Sequence, residues 1–417
     1  MKGEIIAVGD ELTSGRVVNS TSYFAASHLY AAGHEIIAMA TVGDSPERIV
    51  KAIREAIDRA DFLVVTGGLG STSDDLTTAA AAEALNRPTI FYPEIFAKIR
   101  ESEMFKESPS LEKLAWLPSG AEVLKPGEKI AGYMLVYNQK PVFFLPGVPH
   151  QMRELMLDRV IPRLASWEGG EQNLVRQKVY KVFGLEESYI NNILAELENS
   201  YRHLRIGYYP MAAEVHVSLT VRGRTKEEMD ELFNQGEEFI RKNLGFCIYD
   251  EDGETMELIT GRLLQENGLS LALAESCTGG LLSHYITKVP GSSAYFPGGV
   301  VAYSNKVKEQ LLGVSGSTLV NYGAVSRETV RAMASGVKRA LGSDIGLAVS
   351  GIAGPSGGTK EKPVGMVCFG LSASDYENDY VLQFSGRREM VQIKAAYTGL
   401  DILRRHLLGI SDHTLCV

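Results

Sequence analysis

The spacing of apolar positions divides the chain into three textures. Over residues 1 to about 165, short apolar runs alternate with stretches of 3.6 period, the rhythm of a βαβ protein. Residues 4–9 form an apolar strand, and a helical stretch over 20–32 ends at Gly33, a good left-handed terminator. Residues 36–42 read as strand again. Ser45, Pro46 and Glu47 then supply an N-cap, a proline at the first helical position and an early acid, so a helix is expected from there to about residue 60. The buried strand 62–65 breaks into Thr66-Gly67-Gly68-Leu69-Gly70-Ser71-Thr72-Ser73-Asp74-Asp75, ahead of a helix over 76–85. A second strand, 141–144, breaks into Leu145-Pro146-Gly147-Val148-Pro149-His150.

From about 175 to 246 the pattern changes to a small α+β insert. Residues 179–183 and 214–221 alternate as half-exposed strands do, and helical periodicity runs over 188–197 and 226–244. From about 254 the α/β rhythm returns: helix to 264, strand 271–275, helix from Thr278, strand 300–303, helix 327–341 and strand 345–349. After the loop Ser350-Gly351-Ile352-Ala353-Gly354-Pro355-Ser356-Gly357-Gly358-Thr359 come strands over 364–371 and 380–384 and a last helix from about Arg388. The two α/β parts share a rhythm but no motif, so they do not read as repeats.

Composition narrows the class. The 417 residues, 45% hydrophobic and 22% charged, suffice for two or three domains with sizeable cores. A formal net charge of −9 lacks the even basic field of non-specific nucleic-acid binding, although a local basic patch stays open. Cys247, Cys277, Cys368 and Cys416 form no CxxC pair, which argues against a disulfide framework or a zinc site and for a reducing compartment. The N-terminus reaches a glycine and an acid too early for a secretory signal, and no apolar run approaches the roughly 18 residues of a membrane span, so a cytoplasmic protein is expected. The 42 glycines are in excess and cluster in short runs, several of them at strand ends.

In open α/β sheets, ligands collect beyond the carboxyl ends of the strands. The 66–70 loop lets backbone approach a phosphate closely, and Asp74 and Asp75 suit a divalent cation bridging phosphates. The same residues also read as a tight turn with Asp74 capping the next helix. Ala274-Glu275-Ser276-Cys277-Thr278-Gly279-Gly280 places a serine at a strand-to-helix break, where N–H groups can stabilise an oxyanion. No histidine stands near; His284, in the following helix, reads as a surface or core residue. Tyr303-Ser304-Asn305-Lys306-Val307-Lys308 offers a phenol and two ammoniums, and a serine–lysine or serine–tyrosine–lysine arrangement suits acyl chemistry if burial depresses the lysine. Cys277 is the rival nucleophile. The 350–359 loop, with Lys360 and Lys362 behind it, reads as an anion cradle.

On these residues the chain resembles the CinA family (competence/damage-inducible protein A) over nearly its whole length. The C-terminal part is similar to the family's nicotinamide-nucleotide amidase domain through the Ala274–Gly280 motif, Pro290-Gly291-Ser292-Ser293, Tyr303-Ser304-Asn305, Gly323-Ala324-Val325-Ser326 and Ser350-Gly351-Ile352-Ala353-Gly354-Pro355. The resemblance implies hydrolysis of the carboxamide of nicotinamide mononucleotide to nicotinate mononucleotide and ammonia, with Ser276, Tyr303 and Lys308 catalytic and no cofactor. It also implies Thr278, Gly279, Gly280, Ser350, Gly351, Gly354 and Arg388 as substrate contacts. The N-terminal part is similar to a molybdopterin-binding fold through Gly9-Asp10-Glu11-Leu12, Thr66-Gly67-Gly68-Leu69-Gly70 with Asp74-Asp75, and Leu145-Pro146-Gly147-Val148-Pro149. It implies metal-dependent ADP-ribose pyrophosphatase activity, with Asp10, Glu11, Thr66, Gly67, Gly68 and Gly70 at the ligand, Asp74 and Asp75 at a divalent metal (Mg, Mn or Co), and K as an added cation. A non-catalytic pterin- or nucleotide-binding module is the alternative. The middle part resembles a KH-like domain but lacks the GxxG clamp, so no RNA binding is expected. The expected architecture is α/β: a three-layer molybdopterin-binding-like domain over 1–168, a KH-like α+β domain over 169–250 and an α/β amidase domain over 251–417. The expected partners are small nucleotides and a second copy in a homodimer, with no nucleic acid and no membrane.

Overall fold

The computed structural model describes residues 1–101, 109–126, 132–167, 174–223, 225–374 and 376–410. The chain divides into two compact units, Met1–Arg176 with Arg222–Met229, and Gln177–Val221 with Asp230–Val417.

The strands of the first unit are β1 (Lys2–Val8), β2 (Glu35–Val42), β3 (Phe62–Thr66), β4 (Thr89–Phe91), β5 (Trp116–Pro118), β6 (Glu122–Val123), β7 (Tyr133–Tyr137) and β8 (Lys140–Leu145). Six form one sheet in the order β2-β1-β3-β8-β7-β6, in which β2, β1, β3 and β8 are mutually parallel, β7 runs against β8 and β6 runs against β7. Helices cover both faces, which is why the central strands are apolar throughout rather than alternating. Ile49, Ile53, Ala80 and Ala81 pack on Ile6, Val8, Leu63 and Val65 on one side. Ala25, Leu29, Met152 and Leu155 pack on Ile5, Phe62 and Val64 on the other. This is the expected three-layer arrangement. The hairpin β7–β8 lacks an Asn-Gly signal; it turns on Asn138 and Gln139, both at positive φ (49° and 63°).

In the second unit β9 (Leu174–Phe183), β10 (Leu204–Pro210), β11 (Glu214–Gly223) and β12 (Ile248–Asp250) form a sheet in the order β10-β11-β9-β12. Then β13 (Leu271–Glu275), β14 (Gly298–Val301), β15 (Ile345–Gly351), β16 (Met366–Ser372) and β17 (Glu377–Gln383) form another, ordered β14-β13-β15-β16-β17, with the first three parallel. Helices Met256–Glu266, Leu281–Lys288 and Arg388–Leu407 cover one face, over Leu271, Leu273, Leu347 and Val349. Helices Asn305–Leu312 and Arg327–Leu341 cover the other, over Ala272, Ala274, Ala348 and Cys368. Phe183 and Tyr249 of the four-stranded sheet join the first of these cores, and Arg404 donates to the Phe246 carbonyl at 2.9 Å.

Cys247 is disulfide-bonded, whereas Cys277 and Cys368 are free and Cys416 lies outside the described residues. The wide cysteine spacing pointed the other way, because separation along the chain does not measure separation in space. Among the described residues no helix is long and apolar enough to cross a membrane.

Candidate functional site

Both parallel cores reverse strand order in the same way. The chain leaves β1 for β2 on one side and returns to β3 on the other; it leaves β13 for β14 and returns to β15. The crevice between the loops that follow such a strand pair is where α/β sheets bind ligands. The loops at Asp10 and Gly67 flank one crevice, and those at Ser276 and Gly354 flank the other.

Ser276 follows β13 and is tied to the neighbouring strand by its N–H, 2.9 Å from the Val349 carbonyl. Its Oγ accepts a hydrogen bond from Lys308 Nζ at 3.1 Å, and the same Nζ donates to the Ala302 carbonyl at 2.6 Å. Lys308 is 1% exposed and has no carboxylate partner among the described residues. Burial therefore holds its ammonium below the ordinary lysine value. Lys306 is exposed. Ser304 caps this helix by accepting from the Val307 N–H, which puts Lys308, one turn on, with Leu312 on the inward face.

The helix after Ser276 begins at Leu281, not at Thr278. Gly279 and Gly280, at φ 62° and 100°, turn the chain first. Buried Glu275 fills the helix N-terminus, accepting from the N–H groups of Gly280, Leu282 and Ser283 and from the Ser283 hydroxyl. The helix amides are therefore spent on Glu275 rather than left for an oxyanion. The Thr278 N–H remains without a hydrogen bond among the described residues, and the buried Thr278 hydroxyl has none either; the Cys277 N–H lies against its own thiol. Burial pushes the Cys277 thiol up to about 12, so it is no thiolate at neutral pH.

Tyr303 is 63% exposed. Its hydroxyl accepts from Arg388 at 3.1 Å, and Arg388 also donates to the Gly354 carbonyl at 2.8 Å. No hydrogen bond among the described residues joins Tyr303 to Ser276 or Lys308. Ser350 is buried and donates to the Ala324 carbonyl at 2.7 Å, while Gly351 ends β15 opposite Val367. Gly354 has φ 83°, a conformation that favours glycine. The N–H groups of Gly354, Ser356, Gly357 and Gly358 carry no hydrogen bond among the described residues, as an anion cradle requires. Lys362 is committed to the Tyr322 carbonyl at 2.5 Å. Two contributors were not singled out from sequence: Glu275, and Gln392, whose Nε2 donates to the Cys277 carbonyl at 2.7 Å.

At the first crevice Gly67 has φ 95°, and a Cβ there would run into the Val8 carbonyl oxygen. Thr66 is buried against the Thr21 hydroxyl at 3.3 Å. The N–H groups of Gly68, Leu69, Gly70 and Ser71 carry no hydrogen bond among the described residues. Asp74 does not cap the following helix, whose N-cap is Leu76 with no side-chain cap. Asp75 closes its own turn by accepting from the Thr72 N–H and hydroxyl, at 2.8 and 2.5 Å. Asp10 and Asp44, a residue the sequence reading passed over, each accept from the other's N–H, at 3.1 and 2.8 Å. Partial burial, then the charges of Asp10, Glu11 and Asp74, raise the Asp44 carboxyl against the Asp10 N–H bond. Among the described residues no three His, Cys, Asp or Glu side chains gather into a metal-binding set, so these acids do not by themselves build a divalent-metal centre. A cavity of ≈ 850 Å³ opens beside Gly70 and Asp75, lined by Tyr92, Ile95, Lys98 and Trp116 among others.

Fold and sites define a protein of two α/β units with glycine-rich loops at each switch point, the second holding a serine–lysine pair. Residues 4–166 match the probable molybdopterin binding domain, 177–249 the damage-inducible protein CinA KH domain and 253–407 the CinA C-terminal domain. The chain is 47% identical over 410 residues to a CinA-like protein of Desulfotalea psychrophila, covering 97% of this chain and 98% of that one. It is 38% identical over 413 residues to a putative competence-damage inducible protein of Halothermothrix orenii, covering 98% and 99%. The crystal structure of the competence/damage inducible protein CihA from Agrobacterium tumefaciens is 37% identical over 36% of this chain and 93% of that one, with TM-score 0.35. The chain belongs to the CinA family.

Proposed function

We propose that the C-terminal site hydrolyses the carboxamide of nicotinamide mononucleotide to nicotinate mononucleotide and ammonia, a pyridine-nucleotide recycling step. The observation that carries this reading is the buried Lys308 Nζ, 3.1 Å from Ser276 Oγ and without a carboxylate partner among the described residues. A lysine so placed loses its proton more readily than one in water. As the neutral amine it keeps an N–H on the Ala302 carbonyl and turns its lone pair to the Ser276 hydroxyl. Ser276 Oγ then attacks the carboxamide carbon as its proton passes to Lys308. The oxyanion falls to the Thr278 N–H, with the adjacent Cys277 N–H beside it. Collapse of the tetrahedral adduct breaks the C–N bond, and Lys308 returns the proton to the departing ammonia. Water hydrolyses the acyl-enzyme by the reverse path. The free amides from Gly354 to Gly358, with Arg388, suit the substrate phosphate. Ammonia release is expected to vanish in Ser276→Ala and to persist in Cys277→Ala; retention in the serine variant overturns the assignment.

A second reading concerns the first unit, and the cavity beside the unpaired amides of residues 68–71 favours it. There we propose hydrolysis of the pyrophosphate of ADP-ribose. Among the described residues the protein's own acids make no complete metal set; Asp10 and Asp74 would each offer a single carboxylate to a divalent cation (Mg, Mn or Co), which would neutralise charge on the pyrophosphate. Turnover of ADP-ribose is expected to stop with EDTA and to drop in Asp74→Ala. Metal-independent turnover contradicts this, and tight binding without product favours a pterin- or nucleotide-binding module.

A further inference from the structure

The final helix reaches the C-terminal site twice. Arg388, in its first turn, holds the Gly354 carbonyl and the Tyr303 hydroxyl. Gln392, four residues on and therefore on the same face, donates to the Cys277 carbonyl at 2.7 Å. The steps proposed above make no use of Gln392.

The Cys277 carbonyl and the Thr278 N–H belong to one planar trans peptide, in which they point in opposite directions. Fixing the carbonyl toward the helix fixes the N–H away from it. The helix covers one face of the sheet through Val391, Ala395 and Leu400. Lys308 comes to Ser276 Oγ from a helix whose Leu312 enters the core of the opposite face. The Thr278 N–H is thus turned to the side on which serine and lysine meet. Among the described residues no other hydrogen bond holds that peptide, and the neighbouring amides are already bound by Glu275. The unpartnered hydroxyl of Thr278, a residue 3% exposed, marks the same spot as short of a polar partner.

We infer that Gln392 is a positioning residue that locks the 277–278 peptide so that the Thr278 N–H serves as an oxyanion donor, an inference that rests on the amidase reading of this site. Without its hydrogen bond the peptide is free to rotate about the bonds flanking it, and the donor is lost for part of the time.

The test uses the full chain with Gln392→Met, which keeps length and removes the donor, and Gln392→Glu, which sets an acceptor against the carbonyl. Two rates are measured: ammonia release from nicotinamide mononucleotide, and phosphonylation of Ser276 by a fluorophosphonate followed by intact mass. The second needs the nucleophile and its oxyanion donors but no nicotinamide substrate. Gln392→Met is expected to lower kcat by about ten- to a hundredfold. KM is expected to hold within about twofold. Phosphonylation should slow in parallel, the pH at which activity rises should not move, and Gln392→Glu should be at least as slow. Unchanged rates in both variants, or losses that follow only the unfolded fraction seen by calorimetry, overturn the inference. If the parent is phosphonylated at Ser276 yet releases no ammonia, the substrate reading fails and the labelling ratio alone decides the role of Gln392. If Ser276 is not labelled in the parent, both fall.

Discussion

Lys308 carries the largest tension between stability and chemistry. An ammonium buried without a counter-charge lowers stability, and replacing it with an apolar side chain of similar length removes that cost. Lys308→Met is therefore expected to unfold at higher urea than the parent at neutral pH while losing ammonia release by a factor of about a thousand. Because burial lowers the folded value from 10.5, the unfolded chain binds the extra proton between the folded value and 10.5. Parent stability should rise with pH across that window and fall as pH drops through the folded value, and the methionine variant should lack the slope. Urea titrations at several pH values check this. Spacing alone left Lys306 and Lys308 equivalent, since both follow one strand end; the family resemblance picked Lys308, and the helix, capped at Ser304, gives the physical reason by assigning one to solvent and one to Ser276. Ser276 itself was legible from its place at a strand-to-helix break. Gln392 was not, because its partner is a backbone carbonyl 115 positions away, and a carbonyl leaves no mark in a sequence.

Among the elements, those with strong periodicity and clear caps could be read with little error. The helix Arg327–Leu341 lies where its apolar spacing puts it. Ser326 accepts from Thr329 N–H at its start and Gly342 closes it at φ 64°. The helix expected from Thr278 starts three residues late, since two glycines at positive φ and a carboxylate from the preceding strand replace the usual serine or threonine cap. The short pair β4–β5 is hard to read because each strand has three residues and residues 92–115 lie between them, and the hairpin strand β7 because its turn lacks an Asn-Gly signal. The Glu275 carboxylate satisfies three helix amides that would otherwise be buried and unmet. Glu275→Ala is expected to cost about 2 kcal/mol. Equilibrium denaturation checks this, and Glu275→Gln, which keeps one acceptor, should lose less.

For the whole molecule, each unit has its own core, so unfolding is expected in two calorimetric steps rather than one. The four-stranded sheet should melt with the C-terminal unit, because Phe183 and Tyr249 are part of that core. Acid weakens the first unit through one buried histidine. Burial, with the N-terminal ammonium adding to it, holds His34 near 4 against its ordinary 6.5. The unfolded chain takes up that proton first, so the first unit loses stability as pH falls from 6.5 toward 4. The transition of the first unit should shift and His34→Leu should flatten that shift, while the second unit shifts through its own half-buried His406, whose value burial also lowers. The middle domain was visible in the sequence as a change of periodicity. The route of the chain through it was not: it leaves the first unit after Arg176, returns for Arg222–Met229 and leaves again. A protease that cuts once near residue 176 would sever the N-terminal fragment's peptide link and still leave it gripping a piece of the other fragment. The nicked halves should travel through a sizing column together, and denaturant should be needed to part them.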